Sequence, residues 1–253
     1  MPSIRIAAAG DVHASERVRP RLEEAFHRVA AKADVILLAG DLTLHGEPDE
    51  ARVLADACRG LDVPIYTVLG NHDYHAEKVP EITARLEDAG IIVLERSWTI
   101  AELNGTELGI VGTKGFVGGF PGSTLPDFGE PLLRRVYAET TRDVEALEKG
   151  LAAIENCPLR VVLLHYSPTM STLQGEPDTI WTFLGSNRLD GPIQKHKPDL
   201  VLHGHAHQGT FAGAIGSVPV YNVAVHVMRR DFFIFELDSD APDGSGAHLE
   251  ATA

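Results

Sequence analysis

The alternation of short apolar runs with amphipathic stretches constrains this chain most. Residues 4–9, 35–39 and 65–69 are nearly continuous apolar runs, the pattern of strands buried on both faces. Between the first two, Val18, Leu22, Phe26 and Val29 recur at helical spacing within 16–31. Residues 50–59 read as a second helix, and 81–88 as a third that stops at Gly90. Strands and helices in this order imply a parallel sheet.

The second half reads differently. Residues 97–103 and 107–113 flank Asn104-Gly105, a strong hairpin signal. A long helix is expected over 134–154, and buried strands over 160–164 and 200–202. Residues 210–214, 218–223 and 232–237 read as closing antiparallel strands. The expected architecture is α/β: two packed sheets with helices on the outer faces, in one domain over 1–238. The tail, 239–253, is rich in Asp, Gly, Ser and Ala and is expected to be disordered.

Composition excludes several classes. The 253 residues are 44% hydrophobic and 23% charged, ordinary for a globular protein. No apolar run reaches the ~20 residues that span a bilayer. A formal charge of −14 repels polyanions at long range, so duplex nucleic acid is not an expected partner. The N-terminus lacks the basic start and cleavage site of a secretory signal, which makes a cytoplasmic protein the expectation. Cys58 and Cys157 then read as buried thiols rather than a disulfide.

The residues just past each strand carry the chemistry. The first run leads into Gly10, Asp11 and His13, the second into Gly40-Asp41, the third into Gly70-Asn71-His72-Asp73. Later runs lead into His165 and into His203-Gly204-His205-Ala206-His207. Taken singly, each has a plainer role: a helix cap for Asp11 and Asp41, a turn for Gly70-Asn71, a core histidine at 165, surface histidines at 205 and 207. Together they deliver carboxylates, imidazoles and an amide to the carboxyl ends of strands, where open α/β sheets bind ligands. That donor set suits borderline divalent metals such as Mn, Fe, Zn, Co or Ni. It exceeds what one tetrahedral ion needs, which points to two ions sharing a carboxylate.

The ordered string Asp11-x-His13, Gly40-Asp41, Gly70-Asn71-His72-Asp73, His165 and Gly204-His205-x-His207 resembles the calcineurin-like metallophosphoesterase family. The resemblance implies a β-sandwich flanked by helices and a dinuclear metal centre. It implies that Asp11, His13 and His207 bind one ion, that Asn71, His165 and His205 bind the other, and that Asp41 bridges them. It further implies a metal-bridging hydroxide as nucleophile and His72 as the group that contacts phosphate and protonates the leaving group. Asp73 is then expected to orient His72. The family's protein serine/threonine phosphatases carry Asp and Arg where this chain has Leu44 and His45, and Glu at the position of Asp73. The 40–46 block is more similar to the branch of cyclic-nucleotide and other small phosphodiesterases. A small-molecule phosphate ester is therefore the expected substrate, a diester first, with a phosphomonoesterase, a nuclease or a non-catalytic protein-binding scaffold as alternatives.

Two loops are expected to shape the pocket: 114–131, with Phe116, Phe120 and Phe128, and 165–185, with Tyr166, Met170 and Trp181. Their aromatics either cover a sheet edge or stack on a nucleobase. His45, Arg188, Arg229 and Arg230 are each either substrate contacts or solvated side chains.

Overall fold

The computed structural model describes residues 3–239 and 247–250. In chain order the first half is β1 (Ser3–Ala9), α1 (Arg19–Ala30), β2 (Val35–Ala39), α2 (Pro48–Cys58), β3 (Ile65–Val68), α3 (Val79–Glu87), β4 (Ile91–Val93), β5 (Ser97–Leu103) and β6 (Thr106–Thr113). The second half is a ribbon of β7 (Gly119–Phe120) and β8 (Ser123–Thr124), then α4 (Pro131–Ala153), β9 (Leu159–Leu164), α5 (Trp181–Leu184), α6 (Asp190–His196), β10 (Leu200–His203), β11 (Ala212–Ile215), β12 (Val218–Asn222), α7 (Val225–Met228), β13 (Phe233–Asp238) and β14 (Ala247–Glu250).

Two six-stranded sheets result, ordered β14-β13-β1-β2-β3-β4 and β11-β12-β10-β9-β6-β5. In the first, β1 to β4 are parallel, as the alternating pattern requires. In the second, β6, β9, β10 and β12 are parallel, with antiparallel β5 and β11 at the edges. Both sheets pack around one apolar cluster to which Ile36, Leu38, Leu163, Leu202 and Phe235 all contribute, each fully buried. Each such side chain is worth about 1.5–3 kcal/mol of burial. The architecture is thus the expected sandwich with helices outside. Among the described residues no helix is long and apolar enough to cross a membrane.

Local chemistry sets the element ends. Asn104 and Gly105 both take positive φ, 53° and 78°, which the β5–β6 turn requires. Pro20, Pro48, Pro80 and Pro131 sit in the first turns of α1, α2, α3 and α4, where a missing N–H costs nothing. The long helix therefore starts at Pro131, three residues ahead of the expected start.

One expectation of strand pairing needs correction, and two further stretches add strands. Residues 218–223 were expected to be antiparallel, but β12 pairs parallel with β10 and antiparallel only with β11. The 91–93 stretch, which follows Gly90 without a turn signal, adds β4. The tail expected to be disordered contributes β14, antiparallel to β13; residues 240–246 and 251–253 of that tail lie outside the described residues. Cys58 and Cys157 are both buried and free.

Candidate metal centre

Parallel pairing in both sheets places the carboxyl ends of β1, β2, β3, β9, β10 and β12 on one rim. Main-chain hydrogen bonds tie these ends together. Asp11 N–H donates to Gly40 O at 2.9 Å, Gly10 N–H to Val223 O at 2.7 Å, and Gly204 N–H to His165 O at 3.1 Å. The second joins the two sheets, and the third joins the ends of β10 and β9, where predicted ligands emerge.

Asp11, His13, Asp41 and His207 form one cluster whose ligand atoms lie within 4.8 Å of one another; Asp41, His165 and His205 form another. Asp41 belongs to both. Its two oxygens divide between them: Oδ1 lies 3.3 Å from His165 Nε2, and Oδ2 lies 4.0 Å from His13 Nε2. Asn71 joins the second cluster, with Oδ1 at 2.9 Å from His165 Nε2. All seven predicted ligand side chains are thus brought together.

These surroundings fit cations. His165 Nδ1 donates to Ala39 O at 2.8 Å, which leaves Nε2 as an acceptor facing the Asn71 oxygen. Two acceptors at that distance suit a shared proton or cation. Burial holds His165 well below the usual histidine range, so the proton is disfavoured. Burial likewise lowers His13 to about 4 and His205 to about 3, leaving neutral imidazoles, the form that ligates metal. Asp11 and Asp41 are each only 1% exposed. Burial, with the Asp41 charge adding to it, pushes Asp11 up to about 6. Two carboxylates in a dry site oppose each other's ionisation, and divalent cations offset that repulsion. His207 Nε2 lies 2.8 Å from Asp11 Oδ1, and this contact raises its pKa.

The backbone is shaped for the same purpose. Asp11, His13, Asp41 and His205 all have φ between 44° and 70°, a region that costs a non-glycine residue roughly 1–3 kcal/mol. The flanking glycines make room for them. A Cβ on Gly70 would meet Asp41 Oδ1 at 2.1 Å, and one on Gly204 would meet Asp11 Oδ2 at 2.3 Å.

His72 stands at the mouth. Its Nδ1 donates to Leu44 O at 2.7 Å, and its Nε2 lies 3.9 Å from Asp41 Oδ2. Asp73 does not orient it. Both Asp73 oxygens are engaged elsewhere: they accept from Thr43 N–H (2.8 Å), Thr43 hydroxyl (2.6 Å), Leu42 N–H (3.2 Å) and Gly70 N–H (2.8 Å). Asp73 therefore clamps the loop after β2 to the loop after β3, and the Leu44 carbonyl holds the imidazole. Asp73 is fully buried, and burial raises it to about 6. Replacing Asp73 with Ala leaves buried donors without partners, each costing about 1–3 kcal/mol. The expected result is a loss of at least ~3 kcal/mol in urea unfolding of the metal-free protein. Unchanged stability with selective loss of His72-dependent activity would restore the orienting role.

Some residues near the centre escaped the sequence reading. His226, on α7, stacks on the His207 ring at 4.2 Å between centroids and also approaches His13 at 5.9 Å. His75 lies 4.4 Å from His72, centroid to centroid. Buried Asn222, at the end of β12, donates to Ala206 O at 2.7 Å and steadies the 204–207 loop. Parallel pairing of β12 was the signal that would have found Asn222 and His226. His203 is structural: fully buried, it bonds Gly204 O and the Thr172 hydroxyl.

The loop aromatics mostly cover. Phe120 is buried with Leu173, Leu184 and Ala206, and Met170 and Trp181 pack on them. Phe128 is 78% exposed. Arg188 turns to α4, donating to Tyr137 O and the Thr141 hydroxyl. Arg230 lies over Phe233, and the main chain of exposed Arg229 ends α7. His45 pairs with Glu50 at 2.8 Å and its side chain is 68% exposed.

Known structures share the fold. Phosphopantetheinyl hydrolase from Mycobacterium tuberculosis is 14% identical, with a TM-score of 0.64 over 89% of this chain and 92% of that one. TT1561 of Thermus thermophilus is 18% identical, with a TM-score of 0.57 over 94% and 95%. A putative 5'-nucleotidase from Staphylococcus aureus is 15% identical, with a TM-score of 0.61; 98% of this chain covers 53% of that one. No curated protein matches by sequence. The sequence matches the calcineurin-like phosphoesterase family over residues 4–209, across both sheets and every strand end on the rim but one, and the chain belongs to that family.

Proposed function

We propose that this protein hydrolyses a phosphodiester of a small molecule with two divalent cations, manganese being a suitable pair. One observation carries the reading: Asp41 turns one oxygen toward His165 and the other toward His13, between two otherwise separate donor sets. Asp11, His13 and His207 would hold one ion, and Asn71, His165 and His205 the other. Bound there, two cations supply charge neutralisation on the phosphate and a lowered pKa for the attacking water.

The chain's own groups do the rest. The buried neutral imidazoles of His13, His165 and His205, with the oriented carboxylates, would hold the cations. The Leu44 carbonyl keeps the proton of His72 on Nδ1, so the Nε2 edge faces the centre. In its protonated form that edge donates to a phosphate oxygen or passes its proton to the departing alkoxide. Preference for a small diester over a phosphoprotein is supported by Leu44 and His45 in place of the phosphatase Asp and Arg. His45 is held by Glu50 and turned to solvent.

The test is a panel of aryl diesters, cyclic nucleotides, phosphomonoesters and phosphopeptides, assayed with excess Mn(II). The expected order puts a diester first. Faster hydrolysis of phosphopeptides or monoesters than of any diester would reverse the substrate class. No metal-dependent turnover of any ester would favour a non-catalytic scaffold.

A further inference from the structure

Lys114 follows β6 directly, and its main-chain oxygen accepts the N–H groups of both His165 and Tyr166 at 3.0 Å. The lysine is therefore anchored to a strand end that carries a metal-ligand candidate. It is only 6% exposed. Its ammonium lies 4.3 Å from the centroid of Phe116, 5.1 Å from Tyr166 and 5.3 Å from Tyr74. It donates to Gly115 O at 3.0 Å, and among the described residues its other N–H groups have no partner.

No carboxylate among the described residues lies within the 4.0 Å of an ion pair with it. The carboxyls that act on it from further away are Asp143, Glu95 and Glu139. Asp143 is held by Arg96 and Thr113, and Glu139 by Arg96 and Arg142. Glu95 Oε2 and Asp143 Oδ2 are both buried and unpartnered, and burial pushes Glu95 up to about 7. Burying an ammonium without a contacting carboxylate is costly, and the three ring faces offset part of that cost. The N–H groups left unused are suited to an arriving anion.

The cage adjoins the metal centre through Tyr166. The Tyr166 ring lies 4.4 Å from the His205 ring and 5.4 Å from the His165 ring. Tyr74, two residues beyond His72, is 38% exposed. Among the described residues neither phenol oxygen has a hydrogen bond within the protein. We propose that Lys114, with Tyr74 and Tyr166, forms a subsite that binds a second anionic group of the substrate, a carboxylate or a phosphate, beside the scissile phosphate. The inference rests on the phosphoesterase reading of the metal centre and names the substrate class as dianionic.

The test reads binding and does not need turnover. The Mn(II)-loaded full chain is titrated calorimetrically with phenylphosphonate, 3-carboxyphenylphosphonate and 1,3-phenylenediphosphonate. One charge-assisted contact is expected to tighten binding about 10-fold or more for the probe whose second anion fits. The carboxylate and diphosphonate arms say which anion it is. Lys114→Met is expected to bring the anionic probes within about 2-fold of phenylphosphonate, and Lys114→Arg to retain part of the preference. Equal affinities in the wild type, or no binding of any probe, overturn the subsite even if Lys114→Met fails to fold. A preference that survives in folded Lys114→Met assigns it to the metal charge and also overturns the proposal. Failure of the phosphoesterase reading shows separately, as absent turnover in the ester panel.

Discussion

Asp41→Asn is expected to lower turnover by about 10³-fold or more and to weaken both metal ions together. Lewis-acid stabilisation at such a centre is worth several kcal/mol, and each 1.36 kcal/mol is tenfold in rate. The amide keeps the shape but presents one oxygen and an N–H2 group that cannot ligate. Since Oδ1 faces His165 and Oδ2 faces His13, either amide orientation removes a donor from one ion. It also removes the charge that serves both. His13→Ala is expected to do less, because His13 belongs to one cluster only. Metal content and kcat for the two variants decide the matter: wild-type metal content and turnover in Asp41→Asn would remove the bridge from the account.

The second large effect is expected at His72. An alkoxide leaving group needs a proton in the transition state, whereas a nitrophenolate hardly does. General acid catalysis typically supplies ~10²–10⁴-fold. His72→Ala should therefore keep both metals, lose activity in that range on an alkyl ester, and lose less than ~10-fold on a nitrophenyl ester. The geometry supports this separation. His72 is held by the Leu44 carbonyl, and its Nε2 stays 3.9 Å from Asp41 Oδ2. Equal losses on both esters, with metals retained, would make the imidazole a phosphate contact only.

Most of the sandwich and its rim was legible in the residues. A five-residue apolar run such as 35–39 is too short for a typical helix and reads as a strand buried on both faces, and β2 is fully buried. Glycines before Asp11, Asp41, Asn71 and His205 marked places where the chain turns tightly beyond a strand, and the Gly70 and Gly204 contacts show why a side chain would not fit. The role of Asp73 was not legible. Its position beside His72 suggested a partner, but the 72–74 helical turn points neighbouring side chains apart, and four donors from the 42–43 and 70 backbones and Thr43 capture it. Strand direction at β12 was equally hidden, because parallel pairing to β10 depends on which strand lies beside it and not on its own pattern. The Lys114 cage escaped for a related reason: Lys114 and Phe116 meet Tyr166 through the β6–β9 pairing, and Tyr74 reaches them from the segment after β3 in the other sheet.

Metal stoichiometry tests the central claim most directly. Metal-depleted protein is titrated with Mn(II) while bound metal and phosphodiesterase rate are followed together. The account expects binding to saturate near two equivalents per chain, with full activity reached only as the second is taken up. Saturation at one equivalent with full activity would contradict it.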